Sequence, residues 1–181
     1  MDYINSTSDE AYNIITKELK NVFLTGPPGS GKSWLTNKYI EFWKKKYMKI
    51  AITASTGIAS KIINGTTIHS WSGINIINDS DDFDTVYERV KKNKKKVKEW
   101  KTVDILVIDE ISLIDIKTFD ILNKIGQRIR NNTKPFGGIQ LILCGDFFQL
   151  KPVNNEMCII STQWKSIINK VVVLKKIYRQ V

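Results

Sequence analysis

Val22-Phe-Leu-Thr25 followed by Gly26-Pro-Pro-Gly-Ser-Gly-Lys32-Ser33 is the stretch on which the fold turns. A short apolar run, a glycine-rich loop and a helix-like segment from Trp34 to Lys46 stand in succession. The loop fits the pattern G-x-x-x-x-G-K-[ST], in which glycines let backbone N–H groups turn inward and cradle phosphate oxygens. The helix behind it adds the positive end of its dipole. This order predicts a nucleotide site made of Gly26, Pro27, Pro28, Gly29, Ser30, Gly31, Lys32 and Ser33. Lys32 is expected to reach the β- and γ-phosphates, and Ser33 to hold a magnesium ion.

Further strands are expected at Lys49–Thr53, Val103–Ile108, Ile139–Cys144 and Val171–Leu174. Between them, 55–63 and 114–130 read as helices, the second with Phe119, Leu122 and Ile125 or Ile129 inward. Asn64-Gly65 and Phe136-Gly-Gly138 interrupt the pattern, and Asn75 to Asp84 reads as a polar loop. Continuous apolar strands alternating with helices imply an α/β fold, a parallel sheet covered on both faces. Residues 1–20 are expected to be a lead segment with a short helix (Asp9 to Leu19), ahead of one domain over 21–181.

Two of those strands end in chemistry. Ile105-Leu-Val-Ile-Asp109-Glu110 finishes on paired carboxylates, and the C-terminal ends of parallel strands face the crevice where ligands bind. Asp109 suits a magnesium ion held through water, and Glu110 suits a base for the water that attacks a γ-phosphate. Cys144-Gly-Asp146-Phe-Phe-Gln149-Leu follows another apolar strand, and Gln149 suits a γ-phosphate sensor.

At 181 residues the chain is long enough for one domain with a core. The net charge of +10 suits a polyanionic partner without saying which. The densest basic run, Lys91 to Lys98, is read as part of one solvated amphipathic helix, because Val86, Val90, Val97 and Trp100 fall near one face. Cys144 is expected in the core. No apolar run spans a membrane, and Met1 to Ser6 lacks the pattern of a signal peptide, so an intracellular setting and no membrane partner are expected.

These segments together resemble the first RecA-like motor domain of the petite integration frequency (PIF) helicases, RecD-like members of superfamily one B. The resemblance rests on Phe23 to Ser33, Thr53-Ala-Ser-Thr-Gly57, Gly65-Thr-Thr-Ile-His-Ser-Trp71 and Ile108-Asp-Glu-Ile-Ser112. It continues through Phe136 to Leu150 with Pro152-Val153, and Leu174 with Tyr178-Arg-Gln180, in the family's order over about residues 21–180. It implies a RecA-like P-loop NTPase that uses ATP and Mg2+. The implied motor is stimulated by DNA, moves 5′-to-3′ on single strands, and unwinds duplex, forked or four-stranded guanine DNA in repair and recombination.

Carried onto this chain, Lys32, Asp109, Glu110 and Gln149 keep the roles given above, and Arg179 would neutralise charge on the γ-phosphate. Thr53, Ser55, Thr56, Gly57, Thr66, Thr67, His69 and Trp71 would face single-stranded DNA, the hydroxyls and N–H groups on phosphates and the two rings on bases, with core packing the equal alternative for Trp71 and a structural hydrogen bond the alternative for His69. Members of the family commonly carry an adenine-reading glutamine where this chain has Ala11. A second RecA-like domain is expected C-terminally in the full protein, and this segment alone is expected not to unwind DNA. The strand-separating insertion around Ser72–Asp84 is expected to be small. A nucleotide kinase or a non-catalytic nucleic-acid-binding module would share the phosphate loop. The kinase would need a lid that is not visible, and the module would have no need of Lys32, Glu110 or Gln149.

Overall fold

The structure, a computed structural model, describes residues 2–6, 8–152 and 156–175. In chain order its elements are β1 (Asp2–Ser6), α1 (Ser8–Lys17), β2 (Val22–Thr25), α2 (Lys32–Lys45), β3 (Ile50–Ala54), α3 (Gly57–Ile62), β4 (Thr66–Thr67), α4 (Ile68–Ser72), α5 (Phe83–Lys92), α6 (Lys94–Thr102), β5 (Ile105–Asp109), α7 (Ile116–Arg130), β6 (Gln140–Cys144), α8 (Trp164–Ile167) and β7 (Lys170–Leu174). Among the described residues the strands form one parallel sheet in the order β1-β7-β2-β6-β5-β3-β4.

Alternation along the strands feeds two cores. Val22, Leu24, Ile105, Val107, Ile142 and Cys144 pack on one face beneath α1 and α2. Phe23, Leu106, Ile108, Leu141 and Leu143 pack on the other with residues of α4 to α8. The sheet is thus buried on both sides, which is why its strands read as unbroken apolar runs. Phe119, Leu122, Ile125 and Ile129 are all buried on α7. Cys144 is fully buried beside the Thr36 hydroxyl, 3.1 Å away, and burial pushes its thiol up; it is a packing residue. No helix among the described residues is long and apolar enough to cross a membrane.

The structure changes two expectations about elements. The lead segment is not separate: Asp2–Ser6 is a strand paired with β7, Asp2 opposite Lys170 and Ser6 opposite Leu174. The lysine-rich helix is two helices. Asn93 leaves helical geometry at φ −94° and ψ 93°, and its side chain accepts a hydrogen bond from the Lys96 N–H. That cap starts α6 afresh, as asparagine does at a helix N-terminus. Val86, Val90 and Trp100 nevertheless stay buried, with the lysines outside.

The sheet order sets the site. The chain passes from β2 to β3 over the positions that β6 and β5 later fill. The C-terminal ends of β2, β6 and β5 therefore lie side by side, with Leu24 opposite Cys144 and Ile108 opposite Leu143. The next ends along the same crest belong to β3 and β4, with Ala54 opposite Asp109 and Thr67.

Candidate nucleotide site and nucleic-acid face

The loop from Gly26 to Gly31 leaves β2 and enters α2 through Gly31 at φ 88°, a left-handed conformation suited to glycine. At Gly26 a Cβ atom would stand 2.4 Å from the Leu174 carbonyl oxygen, so the loop could not pass β7 with any side chain there. The Lys32 ammonium donates to the loop's own carbonyls, Gly26 at 2.6 Å and Pro27 at 3.2 Å. It closes the ring that a phosphate would occupy. Ser30 is fully buried, and its hydroxyl has no hydrogen-bond partner among the described residues. Glycine geometry, a folded-back lysine and an orphaned hydroxyl fit a polyphosphate cradle.

A cleft of about 480 Å³ runs over this loop and is lined by Lys32, Ser33, Trp34, Glu110, Asp146 and Gln149 among others. Residues from the ends of β5 and β6 thus join the loop after β2, as the sequence spacing predicts. Asp109 ends β5 nearly buried, its Oδ1 accepting the Glu110 N–H at 3.0 Å. Burial pushes its carboxyl up, opposed by that hydrogen bond and by the Lys32 charge. Glu110 sits at φ 52° and ψ 43°, outside the regular strand. Burial pushes it up as well, helped by the charges of Asp109 and Asp146 and opposed by Lys32. Three carboxylates and one ammonium therefore share the site.

The sequence pattern quotes Asp146 but gives it no role. In the structure its Oδ1 accepts the Phe148 N–H at 3.0 Å, and its Oδ2 accepts the Gln149 side-chain amide at 2.7 Å. It holds the exposed Gln149 side chain in the cleft. The available signal was its position after an apolar strand, the same as that of Asp109.

Among the described residues no three His, Cys, Asp or Glu side chains converge as a metal cage. Magnesium keeps waters and phosphate oxygens as ligands and needs only one or two protein groups. Ser33, exposed at the start of α2, and Asp109 fit that limited role. Arg179 lies outside the described residues, as do Val153, Tyr178 and Gln180.

The segments expected to face DNA divide. Ser55 follows β3 and donates its N–H to the Asp109 carbonyl at 3.0 Å, which joins this region to the end of β5. Thr56 caps α3 by accepting the Ala59 N–H, and Gly57 is exposed. Thr66 and Thr67 are half-buried on β4, and Thr67 caps α4 through the Ser70 N–H. His69 and Thr67 line a second cleft with Arg89 and Lys96. Burial lowers the His69 pKa, opposed by Asp115.

Thr53 is a correction, and Trp71 takes its packing alternative. Thr53 is fully buried, with its hydroxyl donating to the Val107 carbonyl at 2.6 Å. Trp71 packs on Trp100, ring centroids 4.7 Å apart, within the larger core. Both side chains lie inside the protein and offer no surface to a phosphate or a base.

A family model described as PIF1-like helicase matches residues 4–181. The ATP-dependent DNA helicase RRM3 of Saccharomyces cerevisiae is 42% identical over 181 residues, an overlap of 95% of this chain and 25% of that protein. The crystal structure of the Pif1 helicase from Candida albicans superposes with a TM-score of 0.89 at 38% identity, over 98% of this chain and 41% of that one. A Bacteroides Pif1, solved with ADP-AlF4 and separately with single-stranded DNA, superposes at 0.81 with 30% identity, over 99% of this chain and 44% of that one. The RecA-like fold is shared with these Pif1 structures. The chain spans between 18% and 36% of the length of the curated relatives it matches.

Proposed function

The chain belongs to the PIF1-like helicase family, and from that premise we propose that it is the first motor domain of an ATP-driven, 5′-to-3′ DNA helicase. The observation that carries the proposal is the meeting of Lys32, Glu110, Asp146 and Gln149 in one cleft at adjoining strand ends. Phosphoryl transfer to water gains most from fixed charge around the phosphates and an oriented nucleophile. Lys32 supplies the charge, and the loop N–H groups position the β- and γ-phosphates. Glu110 takes the proton of the attacking water. Burial and the charges of Asp109 and Asp146 raise its pKa, which makes it a stronger base than an exposed glutamate. Gln149, held by Asp146, reports the γ-phosphate.

Magnesium between Ser33 and Asp109 would offset charge on the β- and γ-phosphates. We assign Arg179 to the same task. ATP is the proposed nucleotide, and an intracellular setting follows from a DNA substrate. Single-stranded DNA would cross the crest at Ser55, Thr56, Gly57, Thr66, Thr67 and His69, where backbone and hydroxyl groups contact phosphates without reading sequence. The step from Asp109 to Ser55 is one hydrogen bond, which gives a direct path between hydrolysis and the DNA track. A second RecA-like domain would complete both sites.

The test is steady-state ATP hydrolysis with and without single-stranded DNA, by this chain and by a form extended through its natural C-terminal sequence. DNA stimulation confined to the longer form supports the split-motor reading. DNA-independent turnover by both forms, or transfer to a small acceptor, overturns it.

A further inference from the structure

Trp34 is the first large side chain after the phosphate loop, in the opening turn of α2. It lines the same cleft as Lys32 and Gln149, yet its side chain is 59% exposed. An indole is the largest apolar payload a residue can carry, and more than half of this residue is left open beside the phosphate cradle. One turn on, the Lys38 ammonium stands 5.1 Å from the centre of its ring and 4.8 Å from that of Tyr12. Lys38 also pairs with Asp9 at 3.6 Å. The indole is steadied by this cation, which also reaches Tyr12 and Asp9 of α1.

Where the family resemblance implies an adenine-reading glutamine, this chain has Ala11, whose methyl is fully buried. Position 11 therefore offers no donor or acceptor. A second sign of a ligand is the Ser30 hydroxyl, buried in the same loop without a partner among the described residues.

We propose that Trp34 is the nucleobase platform of this site: the base of the bound nucleoside triphosphate stacks on the indole, and adenine and guanine are taken alike. The inference rests on the nucleotide-site reading given above and extends it to base selectivity. Stacking is tolerant because every base has a π-face, whereas discrimination between purines needs a hydrogen-bond reader.

The test is calorimetric binding of ATP, GTP and inorganic tripolyphosphate, each with Mg2+, to the intact chain and to its Trp34→Ala and Trp34→Phe variants. ATP and GTP should bind within about three-fold of each other, and both should weaken about ten-fold or more in Trp34→Ala. Trp34→Phe should retain most of the affinity, and tripolyphosphate should bind all three proteins equally. A preference for ATP over GTP beyond about a hundred-fold overturns the proposal, because it requires a base-edge reader. So does a Trp34→Ala variant that loses tripolyphosphate as strongly as ATP, or one that loses neither. If the unaltered chain binds neither ATP nor tripolyphosphate, the nucleotide reading itself fails and the platform with it. If it binds both and Trp34→Ala is inert, only the platform fails.

Discussion

The crest of the sheet holds two regions built in opposite ways. At the ends of β2, β5 and β6, residues sit where the fold gains little from them. Asp109, Glu110 and Asp146 crowd like charges, Glu110 takes a left-handed backbone, and Ser30 buries an unpaired hydroxyl. At the ends of β3 and β4 most of the motif residues are already employed, the exception being the Ser55 hydroxyl, buried without a hydrogen-bond partner among the described residues. Thr56 and Thr67 cap helices, Thr53 bonds the neighbouring strand, and Trp71 fills the core. Crowded carboxylates and the left-handed backbone of Glu110 set the first region apart as a place waiting for charge to be added. The second region's side chains support the structure first, which leaves mainly backbone and half-buried groups to meet a nucleic acid.

The sharpest way to break this contrast is to truncate one residue on each side. Lys32→Ala should abolish nucleotide binding with the fold intact, as read by calorimetry and circular dichroism. Trp71→Ala should destabilise the protein by about 3–5 kcal/mol, the usual range for emptying a tryptophan site. Urea unfolding measures that loss. A Trp71→Ala protein of unchanged stability but weakened DNA binding would return Trp71 to the DNA surface.

Next in size is Glu110→Gln. Loss of the base should slow hydrolysis about 10²- to 10⁴-fold while ATP binding persists. Full turnover would remove Glu110 from its role. The same substitution sharpens the thermodynamic side. A carboxyl whose pKa is raised in the folded state favours folding when protonated, and that contribution is lost as pH rises through the raised value. At neutral pH Glu110→Gln should therefore melt above the unaltered protein, and the gap should close as pH falls into the range where Glu110 protonates. In the unaltered enzyme, hydrolysis should fall along the same limb. A variant less stable at neutral pH would show that Glu110 is held by favourable contacts.

Much of the first region was legible in the residues because its chemistry needs particular types at fixed spacing. Glycines at Gly26 and Gly31 and carboxylates after an apolar strand have few other uses, and the sheet order then places them together. The second region was less legible because threonine and tryptophan serve packing and binding equally well. Nothing local to Thr53 shows that Val107 stands opposite it, and nothing local to Trp71 reveals Trp100. The strand at Asp2–Ser6 was missed for a related reason: its pairing with β7 joins residues at opposite ends of the chain. The break at Asn93 was hidden because Val86, Val90 and Trp100 keep one buried side across both helices. Arg179 is legible in sequence and lies outside the described residues.

The smallest expected effect tests whether one hydroxyl serves both the fold and the DNA. Thr56 accepts the Ala59 N–H through its oxygen, which leaves its own O–H free to donate to a phosphate. Thr56→Ala should cost about 1 kcal/mol of stability through the lost cap, and Thr56→Ser should restore it. If the hydroxyl also meets DNA, single-strand affinity should follow the same pattern, down in Thr56→Ala and back in Thr56→Ser. Its salt dependence should not change, because a neutral donor releases no counterion from the backbone. Thr67→Ala and Thr67→Ser at α4 should behave likewise, through the Ser70 N–H. Stability that falls in both alanine variants while DNA affinity holds would make the two threonines caps alone. The track across β3 and β4 would then rest on main-chain groups, Ser55, Thr66 and His69.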